Sequence, residues 1–182
     1  VVDAIGVLNT FLEFSRLERG EFEYKPLKVD VWWEVMNVVE RLRHQITRKN
    51  ILVEVEHSFA HSYVFCDPIL LHTVLEIVLS NAINYTQWQG HVWVTAHEQD
   101  SNLSIDVKDS GVGVAPEDQP HLFQKFFRTA EARRLEPNGN GLGLSLSREI
   151  LATIGGTITF TSTKSQGSTF TITLPKGIQP TN

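Results

Sequence analysis

The chain is poor in the features that mark secreted, membrane-spanning or nucleic-acid-binding proteins. Cys66 is its single cysteine, which excludes an internal disulfide framework and suits a reducing compartment. The plainest reading of Cys66 itself is a small core residue. No run approaches the ~20 apolar residues that a membrane-spanning helix needs, and no signal peptide opens the chain. Clustered positive charge is missing too. The formal net charge is −5, and the basic residues are scattered apart from Arg41-Leu42-Arg43 and Arg133-Arg134, which argues against a nucleic-acid surface. There is no internal repeat and no low-complexity tract. A cytoplasmic location without nucleic-acid partners is therefore expected. The opening, Val1 rather than Met, reads as mid-helix, so the chain is expected to be part of something longer. What is present is the composition of a globular protein, 41% hydrophobic and 20% charged, in 182 residues. That suffices for one ordinary domain with a real core and a short appendage.

Periodicity divides the chain. Residues 1–20 place Ile5, Leu8 and Leu12 on a narrow helical seam that Gly20 ends. Such a seam suits a partner helix, in a second chain or on its own domain. A polar connector containing Pro26 covers residues 21–30. The spacing then predicts a helix over Val31–Lys49 with Trp32, Val35, Val39, Leu42 and Ile46 on one face. A strand at Ile51, Val53 and Val55 follows. Asp67-Pro68 is an N-cap followed by a first-turn proline. It opens a helix running to about Tyr85 that is apolar almost all round and should be buried. Alternating strands are predicted at His91–Glu98 and Leu103–Lys108, and a short helix within Pro116–Phe127 with Leu122, Phe123, Phe126 and Phe127 inward. Thr129–Asn140 reads as a loop, and Gly141–Ile154 as a helix. A hairpin of Thr157–Thr163 and Ser168–Leu174 closes a domain spanning 31–176, before a tail, 177–182. Helices with a largely antiparallel sheet make an α+β layer architecture rather than a Rossmann fold.

Four elements carry chemistry. Asn81 lies in Ser80–Thr86 at the end of the buried helix. It reads either as a core amide with a satisfied partner or as an oxygen ligand for Mg²⁺. Asp109-Ser110-Gly111-Val112-Gly113 follows a strand. It is either an ordinary turn or a carboxylate that accepts from the exocyclic amine of adenine, where guanine has no donor. Gly139–Leu144 leads into a helix, and unpaired N–H groups at such a start attract phosphate. It is neither the Rossmann fingerprint nor a Walker motif. Gly167-Ser168-Thr169-Phe170 sits at the last hairpin and would pass as a plain turn.

In this order and spacing, the set resembles the N, G1, F, G2 and G3 boxes of the histidine kinase ATP-binding domain. They fall at Ser80–Thr86, Asp109–Gly113, Phe123–Arg128, Gly139–Leu144 and Gly167–Phe170. That domain belongs to the superfamily shared with gyrase B, MutL-type repair ATPases and the large heat-shock chaperone. The resemblance covers roughly 29–175. Residues 12–20 also resemble the stretch where the family's dimerisation and phosphoacceptor helix ends. The resemblance implies a two-layer α/β sandwich that binds ATP and Mg²⁺. Asn81 would hold Mg²⁺, and Asn84 would lie near the triphosphate. Tyr85 would lie beside adenine, and Asp109 would bind its amine between Gly111 and Gly113. Phe127 and Arg128 would stand at the start of a mobile lid, Thr129–Asn140, with Arg128 near the γ-phosphate. Gly141, Leu142, Gly143 and Leu144 would line the phosphates, and Thr169 would reach the adenine side through water. Partners implied are a histidine-bearing dimerisation domain, a homodimer in the full-length protein, and a response regulator that receives the phosphate.

Two positions depart from the family. Ile77 stands where it usually has a second Asn, and Asn84 where it has Lys. They motivate a second reading, a nucleotide-binding pseudokinase scaffold. An ATPase of the gyrase or chaperone type ranks last, because it needs a Glu one turn before Asn81. His44, His57, His61, His72, His91, His97 and His121 all lack the Ser/Thr-His-Glu context of an acceptor, which is expected to lie N-terminal to Val1.

Overall fold

The computed structural model describes residues 24–59 and 63–176. The seam of residues 1–20, most of the connector, His61 and the 177–182 tail lie outside the described residues. Two strands, β1 (Leu27–Asp30) and β3 (Tyr63–Cys66), form a small antiparallel pair. The main sheet holds β2 (Leu52–His57), β4 (His91–Gln99), β5 (Asn102–Asp109), β6 (Thr157–Thr163) and β7 (Gly167–Pro175), in the order β2-β4-β5-β7-β6. Among the described strands only the β2–β4 pair is parallel. The helices are α1 (Val31–Arg41), α2 (Arg43–Lys49), α3 (Pro68–Tyr85), α4 (Ala130–Leu135) and α5 (Gly143–Thr153). This is the expected α+β arrangement, a mostly antiparallel sheet with helices packed on one face.

Alternation decides which side chains meet the helices. Val92, Val94 and Ala96 of β4, Leu103, Ile105 and Val107 of β5, and Phe170, Ile172 and Leu174 of β7 are buried against α3 and α5. The opposite face of β6 and β7 is a set of threonines. Thr157, Thr159 and Thr161 stand directly across from Thr173, Thr171 and Thr169. Helix α3 buries Leu70, Leu71, Val74, Leu75, Val78, Leu79, Ala82 and Ile83, which explains its apolar circumference, since α1, α5 and the sheet all contact it. Its start is as read: Asp67 accepts from Ile69 N (2.9 Å) and Leu70 N (3.4 Å), with Pro68 in the first turn. Cys66 is indeed a buried core residue, and burial pushes its thiol up to about 12.

Several local readings change. The helix expected over 31–49 is two helices meeting at Leu42, whose side chain is buried. Leu27–Asp30, read as connector, forms β1 because it has β3 to pair with, and β3 is too short to show alternation. In place of a helix in 116–127 there is only a 3₁₀ turn, Gln119–His121. Phe126 points outward rather than inward, because a positive φ of 65° turns the chain as its N–H reaches Gly141 O. The 129–140 segment holds α4, which Thr129 caps through Ala132 N. With no buried residue, that helix carries no hydrophobic period, although Ala, Glu, Arg and Leu favour helix.

The buried Asp67 cap also accepts from Lys25 N at 3.0 Å, so it ties the chain ahead of β1 to the start of α3. Asp67→Ala is expected to cost about 1–2 kcal/mol, read as a lower urea midpoint at unchanged slope, with Asp67→Asn recovering most of it.

Candidate functional site

The last two turns of α3, the end of β5, the start of β7, residues 122–129, α4 and the start of α5 surround a cavity of about 230 Å³. Its floor follows from strand alternation. Asp109 ends β5 on the same face as Leu103, Ile105 and Val107, so it is carried inward and is only 4% exposed. Ser168 faces it directly from β7. Gly111 N donates to Asp109 Oδ1 at 2.8 Å. Burial pushes the Asp109 carboxyl up to about 6, against the pull of the Gly111 and Ser168 N–H groups.

Two glycines of the 109–113 loop are required by close approach. A Cβ on Gly111 would lie 2.4 Å from Tyr85 O, and one on Gly113, whose φ is +60°, would lie 2.0 Å from Thr163 O. The loop is thus wedged between the end of α3 and the β6–β7 hairpin. Val112 N donates to Tyr85 O at 3.3 Å, and Ser165 N to Val112 O at 2.7 Å.

Asn81, Asn84, Tyr85, Asp109, Gly113, Phe127, Arg128, Gly141, Gly143 and Leu144 all line the cavity. Three expected residues stand elsewhere. Gly111 lies just behind the wall. Leu142 is buried in the core as α5 begins. Thr169 falls on the solvated face of β7, because the strand period of two puts Ser168 and Phe170, not Thr169, toward the cavity. Ile77 is part of the wall and stands against the start of α5, where a Cβ on Gly143 would lie 3.0 Å from Ile77 Cγ2.

Arg128 departs most from expectation. Its guanidinium donates to Gly139 O (2.7 Å), Ala132 O (2.8 Å), Pro137 O (3.4 Å) and Glu136 O. These are the carbonyls at and beyond the C-terminal end of α4, so Arg128 caps that helix. Burial raises the Tyr85 hydroxyl above its ordinary value, and the nearby Arg128 charge opposes that shift.

The sequence model of the histidine kinase-, DNA gyrase B- and HSP90-like ATPases matches residues 66–178. The chain belongs to this family. Among relatives of this ATPase domain, the sensor-like histidine kinase SenX3 of Mycobacterium tuberculosis is 36% identical over 169 residues. That match covers 92% of this chain and 41% of SenX3. Full-length ShkA in complex with AMPPNP is similar at a TM-score of 0.82 and 25% identity, over 98% of this chain and 38% of that one. ThkA in complex with the response regulator protein TrrA shares the fold at a TM-score of 0.77 and 22% identity, over 97% and 49%. The described residues form an ATP-binding domain of the histidine kinase type, and the chain spans less than half the length of SenX3.

Sequence reasoning missed two groups in this ATPase domain. Ser168 was legible from strand period. Lys49 was not: its Nζ donates to the carbonyls of Ile83, Asn84 and Thr86, and burial lowers its pKa. Among the described residues no group of three or more His, Cys, Asp or Glu could hold a metal ion. Asn81 is an oxygen donor on the cavity wall, which fits Mg²⁺ arriving with phosphates and waters as its other ligands.

The Asp109 carboxyl gives the domain a pH signature. Its folded pKa exceeds the unfolded value of 3.8, so its contribution favours folding fully below that pH and is lost as pH rises through about 6. The shift corresponds to about 3 kcal/mol. With Oδ1 engaged by Gly111, acid turns the other oxygen from acceptor to donor. Calorimetry is expected to show ATP affinity falling between pH 7.5 and pH 5. Asp109→Asn should bind roughly tenfold more weakly at pH 7.5, with a flatter profile and higher stability at that pH. A wild-type affinity that rises in acid would contradict the assignment.

Proposed function

We propose that this chain supplies the catalytic domain of a two-component sensor histidine kinase, moving the γ-phosphoryl group of ATP to a histidine outside this chain and thence to a response regulator. The observation that carries this is one cavity with two chemically distinct ends. A buried carboxylate, Asp109, matches the adenine amine, and the glycine-rich start of α5 offers N–H groups to phosphate. Tyr85 and Phe127 supply apolar contact for the base. Gly113 keeps the wall open, and Ser168 beside Asp109 replaces Thr169 as the hairpin's contribution. Asn81 would hold Mg²⁺, which offsets phosphate charge when bound. Asn84 and Leu144 would flank the phosphates.

Arg128 would have two roles. Its guanidinium is committed to the carbonyls around α4, and would offset charge on a transferring phosphoryl only after leaving them. The histidines support an external acceptor. His57 stacks with Phe59, His91 stacks on Trp93 at 4.0 Å, and His72 pairs with Glu34. ThkA was solved with a response regulator and ShkA with an ATP analogue, which supports both partners for a chain of the same fold. The domain layout proposed is an end of the dimerisation helix over 1–20, a connector, and the ATP-binding domain from about residue 31 to 176, acting within a homodimer.

A second reading is favoured by Ile77. It lies about 40° from Asn81 around α3 and walls the phosphate end with hydrocarbon, so a scaffold that binds ATP but transfers slowly fits too. The test combines the chain with a histidine-bearing dimerisation domain, ATP and Mg²⁺, and follows acid-labile phosphohistidine. Transfer is expected only with both proteins present. Ile77→Asn should raise its rate and its Mg²⁺ dependence. Acid-labile phosphate on this chain alone would overturn the external acceptor. Fast wild-type transfer with no gain from Ile77→Asn would remove the scaffold reading.

A further inference from the structure

A helix ends with carbonyls that have no partner inside it. At the end of α3 every one of them is taken. Thr86 N closes on Ala82 O at 3.1 Å. Lys49 Nζ then donates to Ile83 O (2.9 Å), Asn84 O (2.6 Å) and Thr86 O (2.9 Å), using all three of its donors. The remaining carbonyl, of Tyr85, accepts from Val112 N. Lys49 is itself fixed, because its own carbonyl accepts from Gln89 N at 2.9 Å, just beyond the helix. The last residue of α2 therefore pins the turn that presents Asn84 and Tyr85 to the cavity.

We propose that Lys49 is a positioning residue for the adenine end of the site, an inference that rests on the nucleotide reading above. The path is short. Lys49 holds the carbonyls on either side of Tyr85, and Tyr85 O receives Val112 of the loop that carries Asp109. Gly111 leaves no slack, since a Cβ there would lie only 2.4 Å from the same oxygen. A shift of the α3 terminus must therefore move the loop, and with it the acceptor for the base. Lys49 lies outside the cavity wall and acts through Tyr85 and Val112, so its loss should touch base recognition rather than phosphate contacts.

The experiment compares wild type, Lys49→Met and Lys49→Arg in the full chain. It measures calorimetric affinities for ATP, ADP and GTP on folded protein, beside urea unfolding. Lys49→Met is expected to weaken ATP and ADP by the same factor, about tenfold, and to narrow the preference for ATP over GTP. Lys49→Arg, which keeps donors for the carbonyls, should restore most of both. A Lys49→Met protein that is less stable yet keeps wild-type affinities and base preference would overturn the role, because a purely structural cap predicts that outcome. If the Met variant does not fold, Lys49→Gln carries the comparison: intermediate ATP affinity supports the role, and wild-type affinity overturns it. A wild-type chain that binds neither ATP nor ADP would instead remove the proposed function, and this role with it.

Discussion

The end of α3 is the point on which the nucleotide cavity depends. A helix whose last turn lies beside a ligand site cannot rely on bulk water to satisfy its carbonyls without letting that turn fray. Here the partners are an ammonium from α2 and an amide from the loop after β5. Because these partners come from elements on two sides, the same contacts that finish the helix also set its distance from the sheet. The glycines at 111 and 113 then follow as steric requirements, since the loop threads between the helix terminus and the β6–β7 hairpin.

Within that frame the cavity divides its chemistry by secondary structure. Strand ends bring Asp109 and Ser168 to the floor, where burial holds a carboxylate that water would otherwise solvate. Helix α3 supplies a wall that is polar at Asn81 and Asn84 but apolar at Ile77. The 129–140 segment is tied only lightly to the core. Its short helix buries nothing and is held by Thr129 at one end and by Arg128 at the other. A single guanidinium thus serves as a local cap and stands on the cavity wall, so lid order and charge inside the cavity are coupled through it.

The large elements were legible because each obeys one period. The circumferential apolarity of α3, the Asp67-Pro68 start, the β4–β5 pair and the closing hairpin all survive in the structure. The motif order gathered residues that line one cavity, Asn81, Tyr85, Asp109 and Gly141 among them, so much of the candidate site was legible. The misses have physical causes. Thr169 was chosen by motif rather than by strand face, and Ser168 sits one residue away on the correct side. Phe126 left the apolar set because a left-handed backbone conformation breaks any period. The lid helix buries no stripe to read. Lys49 binds main-chain oxygens far along the sequence, and carbonyls have no letter in a sequence.

The pairing of Asp109 with Ser168 has a kinetic side. Strand β5 pairs with β4 through a short hairpin, but its other partner, β7, follows in sequence only after α4, α5 and β6. Non-local pairing of this kind is the slow part of forming a sheet. A chain with β7 undocked would leave Asp109 without Ser168 and Phe170 beside it, and the floor beneath the base incomplete. Ligand that uses the whole cavity would therefore favour the completed sheet by mass action. Bound nucleotide would in this sense bridge strands that are far apart in the sequence, holding the two ends of the sheet to one another.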